Sequence, residues 1–365
     1  MTLHIYFARK FLVTFIGILA GFVAFMWLVE LLEHIRRFDA GEVGFPMLAY
    51  MSALHLPQVL YQILTLVVLL TTVLMFITLA RTSELVITRA TGRSAIISLL
   101  APVFTALVLG ILIVAMFNPF VASMSKRYEL VENQIRGEES VISISREGLW
   151  LRQGSGDHQV AIRANRANLD GTKLFDVTFI GFDTGEGPVY RVEASMAELT
   201  GGNWVLRNAK RWRFDDMIDN PEAEAEQLVM LSIPSDLSRE QIRDSFGTPS
   251  SIPIWDLPTF IDQLEAAGFS ARSHRAWFQS ELARPLGFVA MVFIGAVFTL
   301  RHTRFGRTGL MVLLAVLSGF SVYFLGNLTQ VMAVNGQIPI ALAVWSPPVV
   351  AICLALSMLL HFEDG

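Results

Sequence analysis

Long apolar runs dominate both ends of this chain, while the middle third changes to short alternations of apolar and polar residues. Six runs, residues 11–32, 55–79, 96–120, 282–300, 310–331 and 340–360, reach the roughly 20 residues a helix needs to cross bilayer hydrocarbon. Helix is the expected form, because backbone N–H and C=O groups in lipid must be satisfied within the segment. The first run is too long for the apolar part of a secretion signal. It ends in Glu30, Glu33, Arg36 and Arg37 with no small-residue cleavage site, so it is expected to be a retained span.

Between residues 125 and 275 the period drops to two. Short runs at 141–145, 149–152, 159–163, 175–182, 189–194, 204–207, 211–214 and 227–232 are separated by Gly- and Asp-rich turns. Strands at this spacing predict an all-β sandwich, open barrel or jelly roll. A helix over 257–267, with Gly268 as its cap, leads back toward the apolar runs. The expected fold is therefore six transmembrane helices plus an all-β domain, whether sandwich, open barrel or jelly roll. Its parts are 1–124 (three spans), 125–275 (the β-domain and connecting helix) and 276–365 (three spans).

Charge orients the spans. Arg9 and Lys10 precede the first, Arg81, Arg89 and Arg93 follow the second, and Arg301, Arg304 and Arg307 follow the fourth. Single crossings put all of these on one side, which the positive-inside rule makes cytoplasmic. Both termini are then cytoplasmic and the β-domain lies on the outer side of the membrane. The net charge of −4 gives no sign of nucleic-acid binding. The lone Cys353 excludes an intrachain disulfide and is expected to be a small buried hydrophobe.

Catalytic patterns are missing. There is no Gly-x-x-x-x-Gly-Lys loop for a nucleotide, no His-Glu-x-x-His and no Gly-x-Ser-x-Gly. No cofactor or metal is implied, since the seven histidines are scattered. Asp183-Thr184-Gly185 looks like half of an aspartic-protease site, but that chemistry needs two carboxylates and no second copy exists. An ordinary hairpin turn explains it better.

Three polar groups stand out. The first is residues 80–94, a charged helix-like loop between the second and third spans. Ser83 can cap its start, Glu84 sits in the first turn, and Gly92 stands where a left-handed end cap falls. The second is Glu30, Glu33, His34, Arg36 and Arg37 at the end of the first span, with Glu30–His34 and Glu33–Arg37 one helical turn apart. Arg36 and Arg37 serve either as interfacial anchors or as ligands for an anionic head group, because guanidinium binds phosphate through two N–H groups. The third is Glu281 and Arg284, three apart before Pro285, which can pair at the outer membrane interface. Gly17 and Gly21 have the spacing of a close helix contact, a weak signal alone.

Several of these residues recur together in a known pattern. It comprises Tyr6-x-x-Arg9, Ile35-Arg36-Arg37 with Gly41, Leu79-Ala80-Arg81-x-Ser83-Glu84-Leu85-Val86 and Arg89-Ala90-x-Gly92. It continues with Gly148-Leu149-Trp150, Pro285-Leu286, Gly319-Phe320 with Tyr323, and Gly336-x-x-Pro339. In these the chain resembles the LptF/LptG (YjgP/YjgQ) permease family of lipopolysaccharide export, and its LptG branch more closely. It departs from that branch at Glu30, where related proteins can carry a basic residue.

The resemblance implies six transmembrane helices with a periplasmic, all-β jellyroll-like domain, in a non-catalytic permease subunit of an ABC transporter that extracts lipopolysaccharide from the inner membrane. Its implied partners are an LptF-like second subunit, an LptB-like ATPase dimer, and LptC-like and LptA-like jellyroll proteins. It also implies that Ser83, Glu84, Leu85, Val86, Arg89 and Gly92 form the helix that seats in the ATPase. Glu84 would be the polar anchor and Leu85 and Val86 the apolar contact, while Arg36 and Arg37 would meet the lipid A phosphates. Two other readings are a membrane-anchored receptor or scaffold, and a lipid- or peptide-modifying enzyme with the β-domain as its catalytic part. The first leaves residues 80–94 without a task, and the second lacks a catalytic constellation.

Overall fold

The computed structural model describes residues 2–38, 43–85, 88, 95–136, 142–145, 148–153, 158–168, 171–183, 187–214, 220–235, 237, 248–266, 270–300 and 308–364. The chain divides into two compact units. One holds Met1–Val131, Ser250–Trp255 and Arg275–Gly365; the other holds Glu132–Pro249 and Asp256–His274.

Among the described residues, the first unit contains six helical spans long and apolar enough to cross a membrane. They are α1 (Thr2–Arg37), α2 (Phe45–Arg81), the pair α3 (Ala95–Leu112) and α4 (Asn118–Arg136), α6 (Arg272–Thr299), α7 (Thr308–Val334) and α8 (Ile340–Asp364). Phe7, Phe11 and Phe15 recur every four residues on α1, and all three are buried against a core that includes Val68, Phe76 and Leu79 of α2. Most other positions of α1 are exposed or half-buried: 6% of its most apolar stretch is buried, against 67% for α6. Gly110 of α3 lies against α6, where an added Cβ would meet the Pro285 backbone at 2.6 Å. Cys353 is exposed on α8, not buried as expected. On a helix that faces lipid, the outward side is as apolar as the core.

A short π-helical turn (Ile113–Phe117) joins α3 to α4. Pro119 has no N–H to return to the carbonyl of Ala115 four residues back. Trp255 Nε1 donates to that carbonyl instead, at 3.1 Å. Next to it, the Ile254 backbone N–H donates to Asn118 Oδ1 at 2.9 Å. These two bonds seat Ser250–Trp255 on the membrane helices. The helix continues well past residue 120, to Arg136, so the β-rich unit begins at Glu132.

Among the described residues, the second unit forms one antiparallel sheet of seven strands in chain order. They are β1 (Ile142–Ser145), β2 (Gly148–Gln153), β3 (His158–Ala167), β4 (Lys173–Asp183), β5 (Gly187–Thr200), β6 (Asn203–Arg213) and β7 (Glu226–Pro234). Helix α5 (Leu257–Ala266) belongs to the same unit. This is a meander, without the Greek-key crossover of a jelly roll in the strict sense.

A crease gives the meander two halves. Asn165, Asp176, Ser195, Asn208 and Val229 stand opposite one another across β3–β7, each at a break in the pairing ladder. Asp176 and Asn208 there have φ of 53° and 51°, a left-handed backbone that Asp and Asn tolerate. Buried positions slip by one residue at this line: Ala164 then Ala167, Leu174 then Val177, Ala194 then Ala197, Leu206 then Ala209. The slip keeps the apolar side chains on one face while the sheet bends. Phe179 and Trp204 fill that face, both fully buried. Trp204 Nε1 donates to Gln153 Oε1 at 3.0 Å, and Gln153 Nε2 donates to the Pro234 carbonyl at 2.9 Å. Asp183 ends β4 opposite Gly187 of β5, and the rest of the protease-like triplet, Thr184 and Gly185, lies outside the described residues.

Candidate functional site

The loop that follows α2 is fastened to the start of α1. Tyr6 and Lys10 are one helical turn apart on α1, so both side chains share a face. Tyr6 Oη donates to Glu84 Oε2 at 2.6 Å, and Lys10 Nζ reaches Oε1 at 2.9 Å and Oε2 at 3.0 Å. Lys10 also donates to Tyr6 Oη at 3.1 Å, and Thr82 Oγ1 donates to Glu84 Oε1 at 2.8 Å. The Tyr6 hydrogen bond above all, with those of Lys10 and Thr82, holds the Glu84 carboxyl below the usual carboxylate range against the opposing effect of burial.

The local backbone differs from the sequence expectation. Thr82 N–H still bonds the Thr78 carbonyl, and Ser83 follows at φ 60°. A helix N-cap is normally extended, whereas a left-handed residue reverses the chain after a helix end. Ser83 therefore ends α2 in a left-handed conformation, directly before the helical Glu84 and Leu85. Leu85 is 7% exposed and belongs to the core of its own helix unit, and Thr88 Oγ1 bonds the Glu84 carbonyl. Val86, Arg89 and Gly92 lie outside the described residues.

At the other end of α1, Arg36 and Arg37 are exposed, with the Arg37 guanidinium 5.9 Å from the Phe38 ring. Of the acidic and histidine positions beside them, Glu30 and His34 are turned inward and Glu33 is exposed. Glu30 Oε2 lies 2.7 Å from His55 Nδ1 of α2, and 3.8 Å from its helical neighbour His34. His34 is buried, with Nε2 3.1 Å from Tyr128 Oη of α4. Glu30 thus ties α1 to α2, so the one departure from the basic pattern sits in a helix contact.

Glu281 and Arg284 do pair, at 2.6 Å, but inside the helix packing. Glu281 is fully buried and also accepts from Tyr61 Oη of α2. Arg284 donates to the Tyr61 carbonyl at 3.1 Å and lies 4.1 Å from its ring centroid. A cavity of about 200 Å³ adjoins the pair, lined by Gln62, Trp277, Arg284, Tyr323, Asn327 and Gln330 among others. The sequence reading found Glu84 and the Glu281–Arg284 pair but missed Tyr6 and Lys10 as partners, and His55 and Tyr61. A usable signal existed: an ionisable side chain in a long apolar run needs a polar partner on a facing helix.

The chain matches a known family. The model for the lipopolysaccharide export system permease LptF/LptG covers residues 5–361, nearly the whole chain. No individual curated protein matches it.

Proposed function

Because the chain belongs to the LptF/LptG family of lipopolysaccharide export permeases, we propose that it is the LptG-type permease subunit of an ABC transporter. In this reading the transporter extracts lipopolysaccharide from the inner membrane and passes it to a periplasmic bridge of β-jellyroll proteins. Membership and the six apolar helices make it a multi-pass inner-membrane transport subunit. The partners we propose are an LptF-like second subunit, an LptB-like ATPase dimer, and LptC-like and LptA-like proteins. The LptG assignment rests on Gly148-Leu149-Trp150 and Ile35-Arg36-Arg37.

The observation that carries the reading is the charged loop around Glu84, held by side chains between two membrane spans of a chain with no nucleotide motif. Energy then has to enter from a partner, and residues 83–92 are the contact. The basic residues around this loop and at the start of α1 support a cytoplasmic position for it, for both termini, and a periplasmic position for the sheet. Arg36 and Arg37, at the opposite end of α1, meet the phosphates of the lipid. The outward apolar faces of α1 and α7 suit lipid, acyl chains or the second subunit.

The test is co-purification with the ATPase together with lipopolysaccharide release, in Glu84→Ala and in Leu85→Asp. Loss of the complex or of release supports the coupling role. Unchanged complex and unchanged release in both variants would falsify it.

A further inference from the structure

We propose that Tyr6 and Lys10 clasp Glu84 so that α1 moves with the coupling segment and carries that motion to Arg36 and Arg37. The inference rests on the coupling role proposed above and deepens it by naming the route the motion takes.

The geometry of the Glu84 carboxylate carries the argument. Both of its oxygens accept from α1, one from Lys10 alone and the other from Tyr6 and Lys10 together. Charge-assisted bonds of this kind are the strong ones, and three donors on one carboxylate fix its position as well as its charge. The carboxylate is thus turned toward its own chain, and Leu85 beside it is packed in the same core. A protein pressing on this loop presses on α1 through Glu84.

The helix is built to pass that push along. It is a single element of 36 residues with no proline inside, whereas α2, α3, α6 and α8 each contain at least one. Sharp kinks need an identifiable cause such as proline. At 1.5 Å per residue, Tyr6 and Arg36 are about 45 Å apart along the axis. Little surrounds α1 on its outer side, since 6% of its most apolar stretch is buried. At the far end the Glu30–His55 and His34–Tyr128 contacts bring α2 and α4 into the same movement. Tyr6 and Lys10 are positioning residues: they act through Glu84 and touch neither nucleotide nor substrate.

The test uses the complete complex of both permease subunits and the ATPase, in vesicles containing lipopolysaccharide. A photoreactive residue replaces the exposed Ile35, beside the arginines. The Tyr6→Phe, Lys10→Met double variant is expected to co-purify with the ATPase and to hydrolyse ATP within about twofold of the parent. Its ATP-driven release of lipopolysaccharide should fall by about tenfold or more, the scale of one lost charge-assisted bond. The ATP-dependent change in crosslinking from position 35 should vanish with it. Lys10→Arg should retain both responses. Parental release and crosslinking in the double variant would overturn the proposal. Loss of co-purification in that variant would overturn it too, because the clasp would then be shaping the docking surface instead of transmitting motion. Failure of the parent chain itself to co-purify with the ATPase would instead sink the coupling role proposed above.

Discussion

Glu84 shows how far a single residue can be read before its neighbours are known. Its type and its place after a long apolar run single it out, and it is the side chain around which the loop is organised. Tyr6 and Lys10 are 78 and 74 residues away in sequence, and no local pattern pairs them with it. The backbone at Ser83 is set in the same way by its surroundings. Serine is a good N-cap, but α2 runs to Arg81 and needs a left-handed residue to stop it, a demand made by the helix and not by the serine. The hydrogen bonds that lower the Glu84 pKa also predict its acid response. A depressed carboxylate contributes stability above its ordinary pKa and loses it as pH falls through the lowered value. The difference in thermal stability between the parent protein and Glu84→Gln should therefore be flat from about pH 8 to about pH 5 and shrink toward zero in stronger acid. A difference that already shrinks on going from pH 8 to pH 6 would show that the carboxylate is not held in this way.

Among the elements, the apolar runs were the easiest to read, because a length of about 20 apolar residues leaves little choice of structure. The strands were legible where inward and outward residues alternate and were cut where they do not. The runs 204–207 and 211–214 are one strand, β6, interrupted for the reader by the outward pair Arg207-Asn208 at the crease. An alternation rule has no place for a residue at φ 51° in mid-strand, so it ends the strand there. The crease predicts the effect of substitution. Asn208→Val puts a β-branched side chain into the left-handed region and should destabilise the sheet unit by roughly 1–2 kcal/mol, while Asn208→Gly is tolerated. Thermal unfolding of the purified protein, followed by proteolysis of the sheet, measures this. Equal stability of the Val and Gly variants would mean the bend does not depend on that backbone.

At the scale of the whole molecule, six spans with a β-rich insertion after the third were legible from hydropathy and period alone, and the family match covers nearly the same extent. The meander order was not, since strand runs of this kind suit a sandwich, a barrel or a jelly roll equally. The proposed transport path places Arg36 and Arg37 on the lipid phosphates. Replacing both with Gln should weaken crosslinking to lipopolysaccharide by about tenfold or more while ATP hydrolysis persists, given the strength of guanidinium–phosphate bonds. Unchanged crosslinking would leave the two arginines as interfacial anchors. The neighbour-to-neighbour pairing of β1 to β7 also bears on how the protein is made. Every ladder joins strands adjacent in sequence, so contact order is low for a sheet of this size and no strand waits for a distant partner. The sheet can close strand by strand as it leaves the synthetic machinery, before the last three spans exist.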